Sequence, residues 1–166
     1  MEFATTVDRD LSRNFFEFQS NGILAMIQPT KEDISIPTEK AIYEAKNGDL
    51  VCALHFTVTG FPDLVEGTEF KTLRMGLKGV DELLKRIYEP NSFPESERLP
   101  YNISLIYGVT NNRMAEVLQR MGFSTAITNK DVEGNSLEEG EVLVVAKVQD
   151  LKKSFEEHKK RIKKLK

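Results

Sequence analysis

Ile103, Leu105, Tyr107 and Val109 occupy alternate positions, the two-residue period of a strand within a sheet. Directly afterwards the period changes: Met114, Val117, Leu118 and Met121 recur at steps of three and four, which gives a helix one apolar face. Thr110 and Asn111 fall at the junction, where either side chain can cap the first helical amides, and Gly122 closes the helix. A strand, a polar turn and a helix in this order can build a ligand site at the carboxyl end of the strand. A sheet that splays after Val109, with Asn111 reachable from solvent, is therefore expected.

The same reading extends along the chain. Leu11, Phe15, Phe16 and Phe18 among charges predict a helix over residues 9–20, with Asp8 or Asp10 as its cap. Residues 22–28 read as a buried strand, followed by a polar loop holding Ile34 and Ile36. Residues 41–45 and 50–58 flank Lys46-Asn47-Gly48-Asp49, an Asn-Gly signal for a tight hairpin. Leu73, Leu77, Val80, Leu84 and Ile87 predict a helix between Thr68 and Tyr88, expected to begin only after Met75. Three prolines make residues 89–102 a long loop and a candidate border to a substrate entrance. Strands follow at 123–128 and 141–148. The elements give an α/β (α+β) chain, a mixed central sheet flanked by helices. Residues 1–149 form the domain and 150–166 a basic amphipathic helix, whose seam of Leu151, Phe155, Ile162 and Leu165 would pack on the domain or on a second copy in a homodimer.

Composition narrows the function. With 166 residues, 40% hydrophobic and 30% charged, the chain can bury a core without staples. A formal charge of −3 does not point to nucleic acid, and no run is long and apolar enough to span a membrane. One cysteine, Cys52, excludes an internal disulfide and a clustered thiolate metal site, so no metal is expected and a reducing cytoplasm is the default.

Asn111-Asn112-Arg113, with Leu118 and Arg120-Met121-Gly122-Phe123, resembles the segment N-x-R-A-x-x-x-Y-x-x-x-G-F of the GNAT-type N-acetyltransferase superfamily. Asn111, Arg113, Gly122 and Phe123 match in register. Met114 replaces the usual Ala, and Leu118 stands where many members carry the Tyr that protonates the departing thiolate of coenzyme A. The stretch from Ile42 to Cys52 is similar to the family's V-x-E-x-D-G-x-I-V-G outline, with Cys52 for the final Gly. The resemblance covers roughly residues 40–148.

The resemblance implies a GNAT-like sheet, acetyl-CoA or another acyl-CoA as cosubstrate, and transfer to a small-molecule or peptide amine. Family members bind the pyrophosphate with amides of a Q/R-x-x-G-x-G/A loop, for which Arg74, Gly76, Lys78 and Gly79 are the candidates here. The other reading of Gly76 and Gly79 is close packing within an ordinary helix. Asn111 is the candidate contact to the pantetheine arm, compatible with a role as helix cap. Tyr107 is a candidate to orient a substrate or donate a proton, and His55 a candidate base; each has a structural reading as a packing residue. Cys52 reads as core. Two functions remain open: an acyl-CoA-dependent N-acyltransferase, or a catalytically degenerate GNAT-like binding or interaction module.

Overall fold

A computed structural model describes residues 5–20, 22–56, 68–151, 153 and 156–157, over 68–77 the backbone alone. Its frame is a seven-stranded sheet built from β1 (Thr6–Asp10), β2 (Phe15–Ser20), β3 (Ile23–Pro29), β6 (Leu50–Phe56), β7 (Leu105–Asn111), β8 (Ser124–Thr125) and β9 (Glu141–Lys147). They lie in the order β1-β2-β3-β6-β7-β9-β8, with β6 and β7 the one parallel pair among the described residues. A second sheet pairs β4 (Ile34–Pro37) with β5 (Ile42–Ala45). The mixed central sheet flanked by helices is as expected.

One face of the large sheet carries the main core. Phe16, Phe18, Ile23, Ile27, Cys52, Leu54, Ile106 and Val144 project from its strands. Two helices cover them: α1 (Thr68–Tyr88), through Val80, Leu83, Leu84 and Ile87, and α2 (Asn112–Arg120), through Met114, Ala115 and Leu118. Leu151 is fully buried in the same core, and residues 148–151 are helical. Phe155 and Ile162 of the expected seam lie outside the described residues. On the opposite face, β4 and β5 set Ile34, Ile36, Tyr43 and Ala45 against Val51, Leu105, Leu143 and Val145. They cover the β7–β9 half and leave the β3–β6 side open.

Four expectations are corrected. The helix over 9–20 is two strands, because Phe16, Phe18 and Ser20 face the core with the half-buried or exposed Phe15, Glu17 and Gln19 between them, a period of two. Asp10 does cap, but only a single 3-10 turn, by accepting from the Ser12 amide at 3.2 Å. The Asn-Gly segment is a turn, with Gly48 at φ +95° and the Asp49 amide bonded to the Lys46 carbonyl at 2.9 Å. It does not close a hairpin: it hooks onto Thr30, so β5 pairs with β4 while β6 pairs with β3. The strand expected over 123–128 shrinks to two residues, since the chain turns to bridge Thr38 at Ala126 and bond Pro37 from the Ile127 amide. Finally, α1 begins at Thr68, not after Met75.

The course of α1 matters for function. Gly79 packs against the start of β3, which pairs with the carboxyl end of β6 at Phe56. The far end of α1 donates the Tyr88 hydroxyl to the Val148 carbonyl, beside the amino end of β7. The helix therefore runs antiparallel to β6 and β7, and its first turn lies on their carboxyl side, eleven residues or roughly 16 Å of helix before Gly79. The loop 89–102 lies at the other edge, where Ser104 bonds Leu50 and Leu99 bonds Arg86, so it does not border the Asn111 region. Arg86 anchors the loop as a buried cation stacked on Phe18 and Phe93, at 5.4 and 4.3 Å, and paired with Glu82 at 2.8 Å.

Candidate functional site

Parallel pairing sets Ala53 beside Tyr107 and His55 beside Val109, with all four side chains on the face away from the helices. Met26 lies opposite Ala53 on β3 and is 37% exposed, high for a methionine in the middle of a sheet. These residues floor an open hollow of about 230 Å³, walled by Asp131, Val132 and Glu133 of the loop between β8 and β9. A second hollow of about 340 Å³ adjoins it, sharing Tyr107, Val132 and Glu133 and reaching Gln28 to Ile34. The structure thus brings two sequence candidates, His55 and Tyr107, into one groove.

The groove's chemistry is defined by its environment. Burial, reinforced by the nearby Glu133 carboxylate and by Cys52, pushes the Tyr107 phenol up to about 12. A low-dielectric site beside a carboxylate penalises the phenolate, so Tyr107 stays a neutral hydroxyl at physiological pH. It is then a hydrogen-bond donor, not an anion. Cys52 faces the opposite way into the core, and burial drives its thiol far above its usual range, which makes it a packing residue as expected.

At the carboxyl edge, β7 pairs with β9 as far as Asn111–Glu141, whereas its described pairing with β6 stops at Val109–His55. Pairing thus continues past Gly108 on both sides, to Val109 with β6 and to Asn111 with β9, and the expected splaying after Val109 on the β6 side lies outside the described residues. Gly108 is required for the approach of the two strands: a Cβ there would lie 2.6 Å from the Leu54 carbonyl oxygen. Asn111 is half-buried, and its Oδ1 accepts the Met114 amide at 2.8 Å, the cap that the sequence indicates. Four residues separate it from Tyr107, roughly 13 Å along the strand.

Thr110 was legible only as a turn residue. Its side chain is 4% exposed on the helix-covered face, and its Oγ1 has no hydrogen-bond partner among the described residues. Buried hydroxyls are nearly always satisfied, which makes this one an exception at the carboxyl end of the central strand. The expected phosphate loop fares differently. Gly76 and Gly79 lie inside α1, where amides bond to carbonyls four residues back and cannot cradle a phosphate. Gly79 is a packing glycine, because a Cβ would lie 2.7 Å from the Ser20 carbonyl oxygen and 2.8 Å from Ile23. Lys78 is exposed, Arg74 is described only by its helical backbone, and the amides without a partner inside the helix are those of its first turn, residues 68–71. Among the described residues no cluster of histidine, cysteine and carboxylates could hold a metal, and no helix is long and apolar enough to cross a membrane.

No family model matches the chain, and neither a curated protein nor a solved structure matches it.

Proposed function

We propose that the chain is an acyl-CoA-dependent N-acyltransferase of GNAT-like fold, acting on a primary amine. The reading is carried by the β6–β7 pair: two parallel strands in an otherwise antiparallel sheet, each followed by a helix on one face whose amino end lies on the carboxyl side of the pair. Helix amino ends favour phosphate, and the carboxyl edge of adjacent parallel strands is where open sheets hold ligands. The orphan Thr110 hydroxyl at that edge fits the polar arm of such a ligand, as does Asn111 beside it.

Coenzyme A, when bound, supplies the acyl thioester. In this reading the first-turn amides of α1 replace the glycines as phosphate donors. His55 is the groove residue nearest the carboxyl edge, since it pairs with Val109. Its imidazole takes the proton of the attacking amine, and the neutral Tyr107 hydroxyl orients that amine through a hydrogen bond. Leu118 is fully buried and offers no proton to the leaving thiolate, which takes one from solvent.

Incubating the protein with acetyl-CoA and a panel of primary amines tests the reading. Amine-dependent thiol release is expected, and His55→Ala should slow it by about 100-fold or more. A folded protein that releases no thiol with any amine contradicts it. The degenerate binding module is the second reading, favoured by Leu118 in the core and by the unbroken course of α1 through both glycines.

A further inference from the structure

The groove around Tyr107 is markedly acidic. Glu32, Asp33, Asp131 and Glu133 line its two hollows with Lys31 as their only lysine or arginine among the described residues, although Asp33 and Asp131 each also accept a backbone amide, from Asn47 and Asn135. Carboxylates recur farther across the open face, where Arg13, stacked on Phe15 at 5.6 Å, is a neighbouring cation. Cross-strand pairing places Asp8, Glu17, Met26, Ala53 and Tyr107 in one row on the open face. Asp8 and Glu17 sit directly opposite one another, and neither has an ion-pair partner among the described residues. Facing like charges destabilise a sheet unless a cation lies between them. From Glu17 to Tyr107 is three strand spacings, roughly 14 Å, and from Asp8 four, roughly 19 Å. The exposed Met26 and the small Ala53 make the stretch between the two acidic ends apolar.

From this row we infer that the groove takes a linear polyamine, with one amine at Tyr107 and His55 and further ammonium groups at Glu17 and Asp8. Carboxylates at both ends of an apolar floor match terminal ammonium groups joined by a chain rich in methylenes. A small molecule fits better than a peptide. From Glu17 to Tyr107 the row crosses interior strands whose backbone groups are already paired, so peptide amides would find no partners there, whereas peptides usually add to a free sheet edge, which the row meets only at Asp8 on β1. The choice of amine rests on the acyltransferase reading, but binding to the groove does not require an acyl donor.

Calorimetric titration of the full chain with spermine, without coenzyme A, separates the two. Spermine should bind at least tenfold more tightly than butylamine, and its affinity should fall as salt rises. The double variant Asp8→Asn, Glu17→Gln should lose at least fivefold in spermine affinity and leave butylamine unchanged; Glu133→Gln should weaken both. Each variant is first matched to the parent in thermal unfolding, and if one is unfolded the salt dependence and the spermine-to-butylamine ratio of the parent still decide. Equal affinity for the two amines, or tighter binding of a lysine-containing peptide than of spermine, would overturn the inference. Spermine binding without acyl transfer would retain the site and remove the acyltransferase.

Discussion

Replacing Thr110 with Val removes one hydroxyl from a buried site and changes almost nothing in shape. The Oγ1 is shielded from solvent and has no hydrogen-bond partner among the described residues, so folding strips it of water without compensation from them. An unsatisfied buried group of this kind costs about 1–3 kcal/mol, and valine also suits a strand. Thr110→Val should therefore stabilise the protein by about 1 kcal/mol or more. With a urea slope of about 2 kcal/mol/M, the midpoint should rise by about 0.5 M at unchanged slope. If the hydroxyl serves the acyl donor, coenzyme A binding should weaken in the same variant by about 2- to 12-fold, the equivalent of one neutral hydrogen bond. Stability and affinity then move in opposite directions. A lowered midpoint would refute the reasoning, since it would mean that the hydroxyl is satisfied in the folded protein.

Gly79→Ala should destabilise by about 1–3 kcal/mol in thermal or urea unfolding, although alanine is the better helix former, because the added Cβ meets the immobile Ser20 carbonyl. Arg86→Ala should cost about 2 kcal/mol, measured the same way, since it leaves Glu82 with only the longer Lys85 contact, at 3.7 Å, and opens the space between Phe18 and Phe93. Tyr107 should titrate late, near 12; its protonated form is the one the fold favours, so the stability tied to it is complete below pH 10 and is lost as pH rises toward 12. Ultraviolet titration of the parent against Tyr107→Phe should show the loss of one late phenol, and loss of an ordinary one would contradict the burial argument.

The β7–α2 unit was readable because its information is local. The change of period at Thr110, the Asn111 cap and the Gly122 exit are each written within a few residues, and all three are realised. The β2 strand was not readable, because the adjacent Phe15 and Phe16 break the alternation and only the core-facing Phe16, Phe18 and Ser20 reveal it. At Gly48 the turn was legible but its consequence was not: a tight turn fixes local angles, while the choice of partner for β5 depends on the apolar surface offered by β7 and β9. His55 and Tyr107 could be singled out by residue type, yet their meeting depends on the parallel register of β6 and β7. Glu133 comes to Tyr107 only through the path of a polar loop over the sheet. The orphan state of Thr110 is a property of its surroundings and leaves no trace in sequence.

Binding of the acyl donor is the central claim, and the unfolding temperature of the intact protein with and without coenzyme A tests it most directly. At 100 times its dissociation constant, a ligand specific for the native state stabilises by about 2.7 kcal/mol. For a chain of this size that is a rise of roughly 5–11 °C, and it should shrink in Thr110→Val. An unfolding temperature unmoved by millimolar coenzyme A and acetyl-CoA alike would contradict the account.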